Sequence, residues 1–171
     1  MLRWIIMLAY LMLCIPSTNA KDKPEGRIGD LLITATGVQE TNTYETLAGD
    51  HLPTKPGFHT VLIALAIRNV GKYSVCANLG ATLEGTLGLE SKGWAHFKDN
   101  MRVAYINQLL PGETLTGWFE FPDIRDEIRP VKFRIHQHDS NQGCGMTRTI
   151  GYRNEITIKL ANVPQPESAG R

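Results

Sequence analysis

The stretch Leu110-Pro111-Gly112-Glu113-Thr114-Leu115-Thr116-Gly117-Trp118-Phe119-Glu120-Phe121-Pro122 decides the fold class. Pro111-Gly112 is turn chemistry, because proline presets one φ and glycine admits the positive one that follows. Beyond the turn, Leu115, Phe119 and Phe121 share one face of an extended chain, with Gly117 between them. Thr116, Trp118 and Glu120 share the other. A two-residue period of this kind marks a half-buried strand. Pro122 lacks the donor that a ladder needs, so the reading ends the strand there.

The same period recurs on both sides. Asp30 to Val38 is read as a first strand with Leu31, Ile33 and Ala35 on one face. Gln39 to Gly57 is polar and broken by Pro and Gly, which predicts a long exposed connection with a short edge strand near Tyr44. Phe58 to Arg68 is apolar on both faces, Val61, Ile63, Leu65 and Ile67 against Leu62, Ala64 and Ala66, as in a central strand. Asn69 to Lys72 is a turn. Thr82 to Leu89 alternates with Leu83, Leu87 and Leu89 inward, Ser91 to Gly93 turns, and Trp94 to Phe97 returns. Asp123 to Arg129 is a charged link. Val131, Phe133 and Ile135 then face inward, opposite Lys132, Arg134 and His136. Asp139 to Gly145 is a polar loop, and Glu155 to Leu160 closes the domain with Ile156, Ile158 and Leu160 inward. About seven strands with turn signals between them and no amphipathic helix predict an all-β chain, an immunoglobulin-like β-sandwich.

The N-terminus reads as an address. Arg3 is the sole charge before Lys21, Trp4 to Ile15 is apolar, and Pro16-Ser17-Thr18-Asn19-Ala20 supplies a breaker and small residues. This is the pattern of a secretory signal peptide over residues 1–20, cut after Ala20. Twelve apolar residues are too few to cross about 30 Å of hydrocarbon as a helix. Lipid attachment at Cys14 is the other alternative, against which stands the large Leu13 where lipid-attachment sites carry a small residue. Residues 21–29 are then a flexible lead-in, 30–162 the sandwich domain and 163–171 a flexible tail. The expected product is exported, periplasmic or extracellular, with no transmembrane segment after cleavage.

The chain has 18 Lys+Arg and 17 Asp+Glu, and the signal holds only Arg3, so the remainder is formally neutral. Neutrality gives no electrostatic reason to bind nucleic acid. Cys14 departs with the signal. Cys76 and Cys144 remain, and two cysteines in an exported chain are a disulfide candidate.

Several short marks occur in a telling order: Gly37-Val38 at the end of the first strand, Pro56-Gly57 before the central one, and Ile67-Arg68-Asn69-Val70-Gly71-Lys72 after it. Leu87 to Trp94 around Gly93, then Leu110-Pro111-Gly112-Glu113-Thr114 leading to Phe119-Glu120-Phe121-Pro122, complete the series. This order resembles the DUF4352 family of secreted immunoglobulin-like domains, which shares a superfamily with mycobacterial immunoprotective extracellular antigens. The resemblance spans roughly Ile28 to Ile135 and leaves out both cysteines. It implies the sandwich fold and no assigned activity.

Candidate sites are few. His136-Gln137-His138-Asp139 resembles a metal cluster, since residues two apart on a strand share a face, and Asp139 or His96 would supply a third ligand. The alternative is two outward polar residues continuing the Lys132, Arg134 face. Trp94, Trp118, Tyr73, Tyr105 and Tyr152 are candidates for an aromatic contact surface, with Trp118 favoured because alternation sets it opposite Phe119 and Phe121. The alternative is a Trp118 covered by the Gln39 to Gly57 connection or by the second sheet. The chain has no Gly-x-Ser-x-Gly, His-Glu-x-x-His or phosphate-loop motif. The reading is therefore a non-catalytic, cofactor-free exported domain that binds a protein or another extracytoplasmic ligand. The alternative function is metal handling on the His136/His138 face.

Overall fold

The computed structural model describes residues 24–46, 49–77, 79–97, 108–137 and 155–164. The expectations for the signal peptide and for Tyr105, His138, Asp139, Cys144 and Tyr152 lie outside these residues. The strands are β1 (Glu25–Ile28), β2 (Leu31–Thr41), β3 (Thr43–Glu45), β4 (His51–Pro53), β5 (Phe58–Asn69) and β6 (Val75–Cys76). They continue with β7 (Leu79–Gly85), β8 (Glu90–Phe97), β9 (Gln108–Leu109), β10 (Thr114–Arg125), β11 (Pro130–Gln137) and β12 (Glu155–Lys159). No helix among the described residues is long and apolar enough to cross a membrane.

Eight strands form one antiparallel sheet in the order β1-β2-β5-β10-β8-β7-β11-β12. It folds over to make the two layers of the expected immunoglobulin-like β-sandwich. The fold-over happens at β8, where Trp94 to Phe97 pairs with β10 and Glu90 to Gly93 pairs with β7. A strand shared by two layers is a corner, which needs a bend and close approach. Two glycines provide it. A Cβ on Gly93 would lie 2.5 Å from the Phe121 ring, and one on Gly117 would run into the His96 carbonyl oxygen and Phe97. At the opposite edge Ile156 of β12 lies against Gly26 of β1, so the layers meet there by packing.

The core is the inward set of the alternating strands. Leu31, Ile33, Val61, Ile63, Leu65, Ile67, Leu115, Phe119 and Phe121 come from one layer; Leu83, Phe133, Ile135 and Ile158 come from the other. Phe133 ties the layers together, with its ring centroid 5.7 Å from Phe119 and 5.9 Å from Phe121. Edge-to-face and tilted pairs at such distances add to plain burial.

The differences from the sequence reading have local causes. Glu25–Ile28, placed in a flexible lead-in, pairs with β2, and Ile28 is buried. β10 does not stop at Pro122. A bulge between Phe121 and Ile124 takes up Pro122 and Asp123, and the strand resumes to Arg125. The missing donor of proline is tolerated where the ladder is already interrupted. β7 ends at Gly85, followed by a 3-10 turn in which Leu87 has φ 70° and stands 83% exposed. The turn thus lies at Thr86 to Gly88 instead of Ser91 to Gly93, and Leu87 and Leu89 do not join the core. A bulge beside Pro130 likewise turns Val131 outward. Val163, assigned to a flexible tail, is buried, and the carbonyl of Pro164 accepts a hydrogen bond from the Val38 amide.

Because Gly117 sits under the β8 backbone, Gly117→Ala is expected to cost about 1–3 kcal/mol through overpacking. Urea unfolding of the two proteins measures it, and equal midpoints would show that β8 can move away freely.

Candidate functional site

The outer face of the β8–β10 pair carries the polar chemistry. In the register of that pair His96 lies opposite Trp118, and Trp94 lies opposite Glu120. Since side chains alternate, all four point away from the core. His96 and Glu120 are diagonal neighbours, within reach of long side chains. On its other side β10 meets β5, with Ala64 opposite Trp118. The small alanine leaves the indole room, and the His96 ring stacks on it at 5.5 Å and 8°.

The 39–57 segment is not a plain exposed connection. β2 continues to Thr41, and β3 and β4 then form a hairpin with Tyr44 paired to Leu52. Its base is held by Thr54 N–H donating to the Asn42 carbonyl at 2.8 Å. The hairpin lies over the outer face. The backbone N–H of Glu45 donates to Glu120 Oε1 at 2.7 Å. This contact explains why Glu120, an outward residue on a strand, is only 3% exposed.

The result is a compact trio. His96 Nδ1 is 3.5 Å from Glu45 Oε2, and His96 Nε2 is 2.8 Å from Glu120 Oε2. The second contact is close but off the line of a ring N–H, so neither Nε2 nor Oε2 completes an aligned hydrogen bond. One donor atom from each of Glu45, His96 and Glu120 lies within 4.8 Å of the others. The trio borders an open cleft of about 360 Å³ whose walls include Tyr44, Lys55, Trp94 and Asp123. Three carboxylates against one lysine make it a site for cations more than for anions.

The structure does not unite His96 with His136. His136 sits on β11 in the other layer, half-buried, opposite Glu155 on one side and Gly80 on the other. The cluster of metal-ligand types among the described residues is Glu45, His96 and Glu120, without His136. Trp118 is on the outer face as alternation requires, but it is half-buried under the His96 stack. Trp94 is the exposed tryptophan of the cleft, at 62%. Cys76 is buried on β6, and its carbonyl accepts a hydrogen bond from Gln137 Nε2 at the end of β11. Glu45 and Glu120 were missed by the sequence reading. The available signal was the spacing Trp94-x-His96 and Trp118-x-Glu120, which aligns on one face once the strands pair.

No family model matches the chain, and no curated protein matches it. Solved structures do. The yjhA protein from Bacillus subtilis is 15% identical, with a TM-score of 0.52 over 82% of this chain and 95% of that one. An uncharacterized β-sandwich protein from Clostridium difficile 630 is also 15% identical, with a TM-score of 0.49 over 80% of this chain and 89% of that one. At such identities the likeness is one of fold.

Proposed function

We propose that the chain is an exported, non-catalytic β-sandwich that works by surface contact with a protein partner, and that it is a distant relative of the DUF4352 family. The observation that carries this reading is Trp94, a large aromatic left exposed at the mouth of an open cleft. Exposed tryptophans beside a concavity are typical contact anchors. The filled core supports the same reading, because the inward faces of both layers are packed with aliphatic and aromatic side chains. Among the described residues that line the cleft there is no serine or cysteine to serve as a nucleophile. The basic-apolar-small pattern of residues 1–20 supports export.

The test is paired substitution. Trp94→Ala is expected to change stability by less than about 0.5 kcal/mol, as at most surface positions, and to weaken capture of partners from the native cell envelope. Trp118→Ala is expected to cost roughly 2 kcal/mol, about half the value for a fully buried aromatic. Equal capture by wild type and Trp94→Ala would remove Trp94 from the contact surface. Turnover of any substrate by the purified protein would overturn the non-catalytic reading.

Export also implies a Cys76–Cys144 disulfide. Cys76 is buried and has a partner. Gln137, bonded to the Cys76 carbonyl, is the last residue of β11, and Cys144 follows seven positions later. Seven residues reach at most about 25 Å, so the chain leaves β11 beside Cys76 on a short tether. In the chain-entropy model the long loop closed between Cys76 and Cys144 stabilises by about 4 kcal/mol. Intact mass is expected to rise by two hydrogen atoms when the protein is reduced. Two freely alkylated thiols in the unreduced folded protein would exclude the bond.

A further inference from the structure

We propose that Glu45, His96 and Glu120 form a binding site for one divalent transition-metal cation, with zinc as the reference ion. The site bridges the β3–β4 hairpin and the main sheet. It opens on the same cleft as Trp94 but uses different side chains.

The first argument is donor type. One imidazole and two carboxylates match the nitrogen and oxygen ligands that zinc accepts, whereas calcium and magnesium prefer oxygen alone. Three protein ligands are the number found in zinc sites that keep a fourth position open. Here that position would face the cleft.

The second argument is the state of Glu120. Its side chain is 4% exposed, yet Oε2 has no aligned hydrogen-bond partner. Burying a carboxylate oxygen without a partner is costly. The nearest polar atom, His96 Nε2, is 2.8 Å away and equally without an aligned bond. A cation held by both atoms satisfies both. Neutral imidazole, two carboxylates and a divalent ion sum to no net charge, which suits a half-buried site.

The third argument is support around the ligands. Glu120 Oε1 accepts the Glu45 amide, and the His96 ring is stacked on Trp118. Fixing a carboxylate by its other oxygen and a ring by its face is what outer contacts do for metal ligands. Donors of a tetrahedral zinc site with bonds of about 2.0–2.1 Å lie roughly 3.3–3.5 Å apart. His96 Nε2 and Glu120 Oε2, at 2.8 Å, would part slightly to admit the ion, and Glu45 Oε2, now 3.5 Å from Nδ1, would have to cross the gap to the Nε2 side of the ring. Glu45, at 26% side-chain exposure, has the freedom to close that gap. Lys55 shares the cleft, but it is exposed, so its charge is screened by water.

The experiment uses the full chain without a histidine tag, stripped with chelator and titrated with zinc chloride by calorimetry. One zinc per chain is expected. Glu45→Gln and His96→Gln are each expected to weaken it at least about tenfold, while His136→Ala and Trp94→Ala leave it unchanged. Cobalt titration supplies a second readout, with visible bands of low-symmetry coordination in the wild type and their loss in Glu45→Gln. Metal-free thermal melts establish that the variants are folded, and Glu45→Gln alters only a partly exposed side chain of the hairpin. Absence of saturable zinc binding, equal affinity in Glu45→Gln and His96→Gln, or loss of binding in His136→Ala would each overturn the site. Failure of the zinc test leaves the Trp94 contact reading standing, because the two depend on different side chains.

Discussion

One strand has to belong to two layers. The eight strands bury one common inward set of side chains, and a single sheet can hide that set against itself only if it turns back. β8 performs the turn, with its first half hydrogen-bonded to β7 and its second to β10. The turn is sterically possible because Gly93 makes room for the Phe121 ring and Gly117 for the β8 backbone. Much else follows from this corner. Phe97 is brought to Phe119 at 6.2 Å, and Phe133 crosses from the other layer to close the aromatic cluster. On the outside, the same close pairing sets His96 on Trp118 and within reach of Glu120.

Glu120 is the point at which packing and chemistry meet. An ionised carboxylate on the outer face of a strand would ordinarily remain in water. Here the hairpin of β3 and β4 covers it, and the Glu45 amide compensates one oxygen. The other oxygen looks toward His96. Removing one partner from such a buried arrangement leaves a charge uncompensated, at a cost of about 3–5 kcal/mol in measured systems. The hairpin and the sheet are therefore coupled through a single side chain. How Oε2 and the imidazole, 2.8 Å apart, are held therefore bears on the position of the hairpin as well as on the cleft.

Most of the fold was legible in the sequence, because alternation reports burial directly. Val61, Ile63, Leu65 and Ile67 are buried as their period required, and so are Leu115, Phe119 and Phe121. Failures occurred where a residue is inserted or a backbone angle changes sign. The bulges at Pro122–Asp123 and beside Pro130, and Leu87 at positive φ, each shift the inward set without altering composition. The cleft was much less legible. His96 was noted only as a third ligand for His136, and Glu120 only as an outward residue. Their meeting depends on which strands are neighbours, and Glu45 reaches Glu120 from 75 residues away along the chain. A two-residue period carries no information about contacts of that range.

The same alternation separates the determinants of fold from those of function. Each β10 residue that faces inward has to fit Phe133 and the central strand, so its size and apolarity are constrained by packing. Each residue that faces outward is free of that constraint until something covers it. Thr116 is uncovered and exposed, whereas Trp118 and Glu120, two and four positions along the same face, are covered by His96 and the hairpin. A sandwich of this architecture can therefore keep its core pattern while the outer face of β8 and β10 changes from inert to polar and clustered. The presence of Trp94, His96, Trp118 and Glu120 on one patch is then a property of this chain that the architecture permits but does not require.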